Sequence, residues 1–554
     1  MKSKLRIGIL LDSYYISAWA YKMIEEINAN SICEIALIVT IEAKKNEKNI
    51  LSRIKKNHKN ILFLLYKKMD RCLFKCTPDA FEIKDIRTIL SIYSIEIVPL
   101  NIDVNDQNNE STIDILTKFA IDIFINLGFE KLQGKILKIA RFGIWNLIHS
   151  DVKTIKGDPS GIWEIIENRK ETGVTLQILT ENLDEVIIIG KSFSSTHSYS
   201  LNKNKNNYYW KALSFIPSKI QELYSLGDEL FFKRTDELNR QPQFYSNRQF
   251  TSPTNKEMIL FGLRIILNTI KNKIEKIFFF EQWILLFKLS PSNSISKVFY
   301  QFEKIIPPKD RFWADPFIVN RNNKFYIFIE ELIYRENKGF ISLILMDDNG
   351  NWTEPVKVLE RDYHLSYPFL IEDNGELYMI PETENNNTIE LYKCVDFPFK
   401  WEIKKTLIHN ITASDSTIIL KDGIYWLFTN VIKNKGSSSH DELFLFSSES
   451  LISDNWISHP QNPIITDVRS SRQAGNLFAV NTKLYRPSQD CAKHYGHGIK
   501  INEVIELNMT NYKEKVVDSI FPDWDNDLIS THTINSVGKL TVIDAKMKRR
   551  KHFN

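Results

Sequence analysis

The chain has 554 residues, which is too long for one hydrophobic core and predicts at least two compact domains. Its net charge of +4 is too small for this length to indicate a nucleic-acid partner, and 43% hydrophobic residues are typical of a globular protein. The five cysteines form no CxxC pair and no zinc-like cluster, so we expect no bound metal and a reducing, cytoplasmic location.

The first part of the chain alternates short apolar runs with helical patterns such as that of residues 19–27. The candidate strands are residues 6–11, 33–40, 95–100 and 120–127. This alternation predicts an α/β domain with a doubly wound parallel sheet, in which ligands bind beyond the carboxyl ends of the strands. We therefore expect Leu127, Gly128 and Phe129, at the end of such a strand, to contact a cofactor. No GxGxxG follows the first strand, which argues against a nicotinamide cofactor.

An ordered set of motifs follows between residues 143 and 190. In chain order these are Gly143-Ile-Trp-Asn-Leu-Ile-His149, Lys156-Gly157, Trp163, Glu171-Thr-Gly-Val-Thr175 and Leu183-Asp184. The set resembles the core of the methionyl-tRNA and sugar N-formyltransferases, which have Asn-x-His, an Arg-Gly turn, an aromatic-bearing helix, Glu-Thr-Gly-Val-Thr and Leu-Asp. The resemblance implies a formyltransferase-like domain over residues 1–230, with 10-formyltetrahydrofolate as co-substrate.

The resemblance assigns catalytic roles to Asn146, His149 and Asp184. Formyl transfer to an amine builds negative charge on the formyl oxygen, which a fixed amide donor such as Asn146 stabilises. His149 would take the proton of the amine, and Asp184 would orient the imidazole. Asp151 is a second candidate partner for His149.

The spacing between Asn146 and His149 departs from the family pattern. Leu147 and Ile148 separate the two residues, where the family has one intervening residue. A shift of one residue along a strand turns a side chain to the opposite face. Either a bulge therefore restores the position of His149 or the activity is altered.

We assign residues 231–292 to a linker and a packing helix. The stretch 233–257 is polar and contains Gln241-Pro-Gln, which is typical of a domain boundary. Residues 260–287 then alternate apolar and basic positions at helical spacing. The charges are too frequent for a membrane span, so we expect this helix to pack against the protein.

Five segments of the C-terminal part share one plan, in which an apolar run, a polar turn and a second β-rich run form a hairpin. They begin at Asp315, Tyr367, Asp415, Gly475 and His532, at intervals of 52, 48, 60 and 57 residues. A further strand pair follows each of the first four hairpins, and four strands are a propeller blade. The sequence predicts an all-β five-bladed propeller over residues 293–554, in which a strand at 295–306 completes blade five.

The first strand of each propeller blade faces the central channel. We therefore expect Asp315, Asp415, Arg472 and His532 to converge near one axial mouth, with Glu382 of blade two as a further carboxyl. A pair of carboxylates and an arginine are suited to gripping a sugar, and we assign these five residues to substrate binding.

This arrangement resembles the propellers of arabinanase- and xylosidase-type glycoside hydrolases, where an Asp of blade one is the base and an Asp of blade three tunes the acid. The resemblance implies these roles for Asp315 and Asp415. Those enzymes take their acid from a Glu of blade four, and here that strand reads Ser471-Arg-Gln-Ala-Gly-Asn. Glu382 is the nearest substitute, and the missing acid favours binding over hydrolysis.

The propeller also contains Trp313-Ala-Asp-Pro-Phe, His364-Leu-Ser-Tyr-Pro-Phe, Pro381-Glu-Thr and Tyr485-Arg-Pro-Ser-Gln-Asp. With the front domain, these motifs resemble a bacterial family, and the propeller alone is similar to the N-terminal domain of plant glucosamine inositolphosphorylceramide transferases. The leading hypothesis is formylation of an amino sugar or glycan precursor, with the propeller holding the carbohydrate. The alternatives are a propeller glycosidase or glycosyl-transferring enzyme with a degenerate front domain, and a non-catalytic glycan-binding protein.

Overall fold

The computed structural model describes residues 3–41, 58–89, 95, 97–100, 110–129, 132–152, 155–157, 159–181, 186–240, 248–290 and 298–551. The chain divides into two compact units, of which the first comprises the chain up to Ile266 together with Asn434–Ser437. The second comprises Leu267–Lys433 and Ser438–Asn554. The predicted fold class is confirmed, because the first unit is α/β and the second is a five-bladed propeller.

The first unit is built on a seven-stranded sheet with the order β10-β9-β7-β6-β1-β3-β5. The strands of this unit are β1 (Leu5–Leu11), β2 (Tyr15–Ser17), β3 (Cys33–Ile41), β4 (Ile83–Asp85), β5 (Ile97–Leu100), β6 (Ile123–Asn126), β7 (Ile144–Ile148), β8 (Lys156–Gly157), β9 (Glu171–Ile178), β10 (Ile187–Ser195) and β11 (Gln249–Phe250). Strands β7, β6, β1, β3 and β5 are parallel, and β9 and β10 add an antiparallel edge. The predicted parallel sheet is therefore present, with two antiparallel strands beside it.

Helices cover both faces of this sheet. The helices described in the chain are α1 (Ala18–Ala29), α2 (Ile61–Leu73), α3 (Glu110–Thr117), α4 (Ile162–Ile166), α5 (Leu201–Ala212), α6 (Phe215–Leu226), α7 (Asp228–Arg240) and α8 (Asn255–Phe278). Short 3-10 turns lie at His58–Asn60 and Gly134–Lys138 in the first unit and at Phe299–Gln301 and Glu384–Asn386 in the second. The apolar run of β1 serves two cores, because Ile7 and Ile9 point to the α1 side and Leu10 points to the opposite side.

The second unit consists of five small antiparallel sheets. Blade one is β14 (Arg311–Arg321), β15 (Lys324–Ile333), β16 (Lys338–Met346) and β17 (Val356–Leu359); blade two is β18 (Ser366–Asp373), β19 (Glu376–Glu382), β20 (Thr388–Asp396) and β21 (Lys400–His409); blade three is β22 (Ala413–Lys421), β23 (Ile424–Val431), β24 (Leu443–Ser448) and β25 (Ile457–Ser458); blade four is β26 (Phe478–Val480), β27 (Lys483–Asp490), β28 (Gly498–Leu507) and β29 (Tyr512–Ile520). Blade five is β30 (Leu528–Ser530), β31 (Ile534–Val537) and β32 (Leu540–Arg550), joined by β12 (Phe279–Leu289) and β13 (Glu303–Ile305).

The start of each of the first four repeats has an unusual backbone. The pairing of the innermost strand shifts at a bulge in blades one, two and three. At these bulges Asp315, Tyr367 and Asp415 have φ angles of 51°, 44° and 50°, and Gly475 of blade four has a φ of 124°. Positive φ is strained for a residue with a side chain, and bulges of this kind re-aim side chains beside functional sites.

The ring closes differently from the sequence prediction. The helical pattern was expected to continue to Phe287, but α8 ends at Phe278 and the chain continues as β12. All eleven residues of β12 pair antiparallel with β32, and β13 pairs with β12 on its other side. The closing strand is thus residues 279–289, and only 303–305 of the predicted 295–306 segment form a strand, residues 295–297 lying outside the described residues. The pairing with β32 overrides the local helical pattern.

We expect Leu285→Ala to weaken the propeller, because Leu285 is fully buried in β12. The loss should be about 2–5 kcal/mol in the free energy of unfolding of this unit, measured by urea denaturation. The control is Glu281→Gln on the same strand, where the side chain is 57% exposed. Equal midpoints for the two variants would contradict the closure of the ring by β12.

Candidate functional site

The predicted propeller residues converge on a buried arginine. Arg472 Nε donates to Asp415 Oδ2 at 2.6 Å, and Nη2 donates to Glu382 Oε2 at 3.3 Å. The backbone N–H of Asp415 donates to the same Glu382 oxygen at 3.2 Å. The structure thus brings together Glu382 of blade two, Asp415 of blade three and Arg472 of blade four, and we call these three residues the axial cluster.

Burial sets the protonation states around the axial cluster. Burial and the negative charge of Asp415 raise the pKa of Glu382 well above its usual range, which favours the protonated form of this carboxyl. Burial and the nearby Arg472 lower the pKa of His440 to about 3, so its imidazole is neutral. The neutral His440 Nδ1 accepts from Arg472 Nη1 at 2.9 Å. The cluster therefore combines a permanent cation with a carboxyl whose pKa is raised.

The other two predicted residues, Asp315 and His532, meet in a second buried group. His532 Nδ1 lies 2.6 Å from Asp544 Oδ2 and 3.8 Å from Asp315 Oδ1. Burial lowers the pKa of His532, but the carboxyls of Asp544 and Asp315 outweigh this effect and leave the pKa raised, which favours the imidazolium. Burial also raises the pKa of Asp315. We call Asp315, His532 and Asp544 the closure cluster, because it joins blades one and five.

Asp544 and Tyr495 complete the site and were missed in the sequence. Asp544 accepts the backbone N–H groups of Asp315, His532 and Thr533. Tyr495 lies between the clusters, with its ring 5.0 Å from the guanidinium of Arg472 and 5.3 Å from the ring of His532. A lone carboxylate in the apolar strand Leu540–Arg550 was an available signal for Asp544. Tyr495 lies in a loop between two strands, which no periodicity marks.

The closure cluster also has the composition of a cation site. One ligand atom each from Asp315, His532 and Asp544 lie within 4.8 Å of one another. The sequence predicted no metal because its cysteines form no zinc-like cluster, a criterion that does not apply to these three residues. As described, His532 Nδ1 hydrogen-bonds to Asp544, so a cation there would have to replace the imidazole proton.

In the first unit, a chain of amides fixes the orientation of Asn146. Phe129 N donates to Asn126 Oδ1 at 2.9 Å, and Asn126 Nδ2 donates to Phe129 O at 2.9 Å and to Asn146 Oδ1 at 3.1 Å. Since the backbone N–H of Phe129 can only donate, it identifies the Asn126 oxygen and hence that of Asn146. The Nδ2 group of Asn146 is left to donate at the carboxyl edge of the sheet.

His149 lies on the other face of the sheet. The β7–β9 pairing runs from Trp145 to Ile148 with no register shift, so no bulge precedes His149. Its ring stacks on Tyr209 with centroids 3.6 Å apart and meets Trp19 edge-on at 5.2 Å, on the α1 side. Asn146 shares the face of Ile144, which belongs to the opposite core. The structure therefore does not bring Asn146 and His149 together.

Burial dominates the chemistry of His149. It lowers the pKa of the imidazole well below its usual value, and Nδ1 has no hydrogen-bond partner among the described residues. A cavity of about 360 Å³ opens on this side of the unit, and its lining includes Phe81 and Lys205. Lys205 also lies over the Tyr209 ring that stacks on His149.

The remaining predicted residues of this unit are the loop Leu127, Gly128 and Phe129, and Asp184. The loop is bonded to Asn126 as described above, and Leu127 N donates to Leu10 O at 3.0 Å. A Cβ at Gly128 would lie 2.6 Å from Asp12 N, so only glycine allows this approach to the end of β1. Asp184 lies outside the described residues, and Asp151 pairs with Lys191 at 2.7 Å.

The strand pairing defines a five-bladed propeller and a mostly parallel α/β unit, and known proteins match each part. Residues 304–527 match the family model described as Glucosamine inositolphosphorylceramide transferase 1, N-terminal. The chain is 34% identical over 206 residues to glucosamine inositolphosphorylceramide transferase 1 of Arabidopsis thaliana, a segment covering 37% of this chain and 27% of the plant protein. It is 29% identical over 149 residues to methionyl-tRNA formyltransferase of Prochlorococcus marinus (strain AS9601), covering 25% of this chain and 42% of that protein. These matches confirm both resemblances.

Two solved structures are similar to parts of the chain. Zg3597, a family 117 glycoside hydrolase of Zobellia galactanivorans, has a TM-score of 0.32 at 10% identity and covers 48% of this chain and 90% of its own. Phosphoribosylglycinamide formyltransferase of Bacillus halodurans has a TM-score of 0.25 at 17% identity and covers 43% of this chain and 98% of its own. The fold assignment rests on the strand order and pairing given above.

We expect Arg472→Met to destabilise the propeller strongly, because it leaves Asp415 buried without its counter-charge. Breaking one side of a buried pair costs about 3–5 kcal/mol in the free energy of unfolding. The matched control is Arg469→Met, since Arg469 pairs with Asp467 and is 34% exposed, and such a pair contributes about 1 kcal/mol or less. Similar losses for the two variants in urea denaturation would contradict the central position of Arg472.

Proposed function

We propose that this protein is a sugar-directed transferase whose carbohydrate binds at the axial cluster. The supporting observation is the convergence of Glu382, Asp415 and Arg472 from three blades at one buried point. Sugar hydroxyls both donate and accept hydrogen bonds, and a guanidinium beside carboxyls offers both kinds of partner. The match to a family named for glucosamine transfer covers these residues and supports an amino sugar as the ligand.

The first candidate reaction, at the α/β unit, is transfer of a formyl group from 10-formyltetrahydrofolate to an amine of an amino sugar or glycan precursor. The amine nitrogen bonds to the formyl carbon, the bond from that carbon to N10 of the folate breaks, and the amine proton passes to N10. Negative charge grows on the formyl oxygen during the attack. Asn146 Nδ2, oriented by Asn126, would donate to this oxygen.

The loop beside Asn146 is suited to holding the co-substrate. Leu127, Gly128 and Phe129 follow β6 at the carboxyl edge of the parallel strands, where doubly wound sheets bind their ligands. The side chain of Asn126 bonds both the N–H and the C=O of Phe129, so the loop has a fixed shape before any ligand arrives. We propose that these three residues contact the folate.

The roles proposed for His149 and Asp184 come from the resemblance to the formyltransferases. A neutral imidazole with an unpartnered Nδ1 is a competent proton acceptor, but here it serves only a group that reaches the α1 face of the sheet. An amine bound beside Asn146 lies on the opposite face. Substitutions of Asn146 and of His149 should therefore affect formyl transfer differently.

The second candidate reaction, glycosyl transfer or glycoside hydrolysis at the propeller, is supported by the raised pKa of Glu382 and by its place beside Asp415 and Arg472. Cleavage of a glycosidic bond needs a carboxylic acid that protonates the leaving oxygen and a carboxylate that acts as base or nucleophile. Glu382 would supply the proton, Asp315 would be the base, and Asp415 would tune the acid. The first unit would then be catalytically silent.

We expect Asn146→Ala to lower the rate of formyl transfer to an amino sugar by about 10²–10³, because the formyl oxygen loses its donor. His149→Phe preserves the aromatic stacking on Tyr209, and its position on the opposite face predicts near-normal activity. The control is Asn268→Ala, because Asn268 is an exposed polar residue of α8. Absence of folate binding in calorimetry would contradict formyl transfer, and loss of activity in His149→Phe would assign the proton transfer to His149.

Glu382→Gln separates binding from glycosyl chemistry. An amide reproduces the neutral, hydrogen-bonding form of this carboxyl, so glycan affinity should change little, whereas turnover should fall by about 10²–10⁴ because no proton can be delivered. Affinity is measured by calorimetry and turnover by product release, with Glu402→Gln as the control because that side chain is 58% exposed. Binding without turnover in the unaltered protein would instead support a glycan-binding protein.

A further inference from the structure

Helix α8 exposes a continuous apolar face. Eight of its leucine and isoleucine side chains are between 49% and 66% exposed. They are Ile259, Leu260, Leu263, Ile266, Leu267, Ile270, Ile274 and Ile277. At 3.6 residues per turn these positions fall on one side of the helix, over a length of roughly 30 Å at 1.5 Å per residue. Monomeric proteins seldom expose an apolar strip of this extent, so the face indicates an interaction surface.

The opposite side of α8 fixes the helix in place. Thr254 and Glu257 form a reciprocal capping box at its first turn. Phe261 is buried, and Arg264 donates to the carbonyl oxygens of Ile165 at 2.5 Å and Ile166 at 2.6 Å. The sequence predicted that this helix would pack against the protein, and only this side does so.

Basic residues border the apolar face. In the helical projection Lys271 lies along one margin and Lys273 along the other, and both are exposed. The two acidic residues of the helix are already engaged, because Glu257 bonds to Thr254, and Glu275 accepts from Lys548 at 2.8 Å. Glu275 also lies 4.0 Å from Lys271, which remains 73% exposed. The charge on the margins of the apolar face is therefore positive.

The end of α8 adds further positive charge. Lys551 donates its backbone N–H to Phe278 O at 2.9 Å, and Phe279 pairs with Arg550. Arg550 and Lys551 are both exposed beside the last turn of the helix, where Lys276 is exposed as well. Lys276 and Lys551 line a cavity together with Asn272 and Glu275, so these two cations lie beside the side of the helix that is turned away from the apolar face.

No helix among the described residues is long and apolar enough to cross a membrane.

We propose that α8 is a membrane-surface helix that lies in the plane of an anionic bilayer. The eight apolar side chains would enter the boundary between headgroups and acyl chains, as the apolar face of an interfacial helix does. Lys271 and Lys273 would extend along the two margins and place their ammonium groups among lipid phosphates.

A second copy of the helix is the competing occupant. Six of the exposed residues follow heptad spacing, namely Leu260, Leu263, Leu267, Ile270, Ile274 and Ile277. In a paired coil the charged residues flanking this seam would be Arg264, Lys271 and Lys273, with no acidic partner among them. The other flanking positions are the apolar Ile259, Ile266 and Phe278. Self-pairing therefore has no charge complementarity, whereas an anionic lipid surface does.

The test is co-sedimentation of the full chain with lipid vesicles. We expect affinity for vesicles of equimolar phosphatidylcholine and phosphatidylglycerol to exceed that for phosphatidylcholine alone by about tenfold or more. The combined variant Leu267→Ser, Ile270→Ser and Ile274→Ser should abolish sedimentation with either vesicle. Lys271→Glu with Lys273→Glu should lower affinity for the anionic vesicles by about tenfold and leave the weaker binding to neutral vesicles nearly unchanged.

Asn268→Ser is the matched control, because it alters an exposed polar position of the same helix outside the apolar face. Thermal denaturation of each variant verifies that the fold is retained, as expected for exposed positions. Absence of sedimentation with anionic vesicles would overturn the proposal, as would sedimentation that the triple serine variant preserves. A dimer in size-exclusion chromatography that this variant dissociates, without vesicle binding, would identify the second copy as the occupant.

Discussion

Buried charge at the centre of the propeller is the constraint on which the rest of that unit depends. A guanidinium removed from water is stable only beside carboxyls with good geometry. Arg472 bonds to two such carboxyls, Asp415 and Glu382, which belong to two other blades. In the closure cluster, Asp544 accepts three backbone N–H groups and so connects blades one and five. The strained φ angles at Asp315 and Asp415 are compatible with this arrangement, because the bulges aim both carboxyls inward.

The propeller could be predicted from the sequence because five similar segments recur along the chain, and this evidence does not depend on the β propensity of any single segment. It misplaced the closing strand for a physical reason: residues 279–289 follow a helix without an intervening glycine or proline, and their partner strand lies at the far end of the chain. Asp315, Asp415 and His532 could be predicted from their equivalent positions at the repeat starts, and Arg472 from its place shortly before the fourth repeat start, Gly475. Tyr495 could not, since a loop residue reaches the site only through tertiary structure.

The two units differ in how completely their candidate sites are assembled. In the propeller, carboxyls from different blades meet one arginine, and burial raises the pKa of one of them, Glu382. In the α/β unit, Asn146 is oriented for an oxyanion by Asn126, while His149 lies on the other face. The two-residue spacing between Asn146 and His149 already indicated this separation, because strand side chains alternate and no bulge intervenes. Carbohydrate recognition is therefore the function that the geometry supports best.

The most direct measurement of this claim is a crystal structure of the protein soaked with a nucleotide-linked amino sugar. The account predicts that the sugar lies in the axial mouth of the propeller, within hydrogen-bond distance of Glu382, Asp415 or Arg472. A sugar ordered only in the α/β unit, with the axial cluster unchanged and inaccessible, would contradict it.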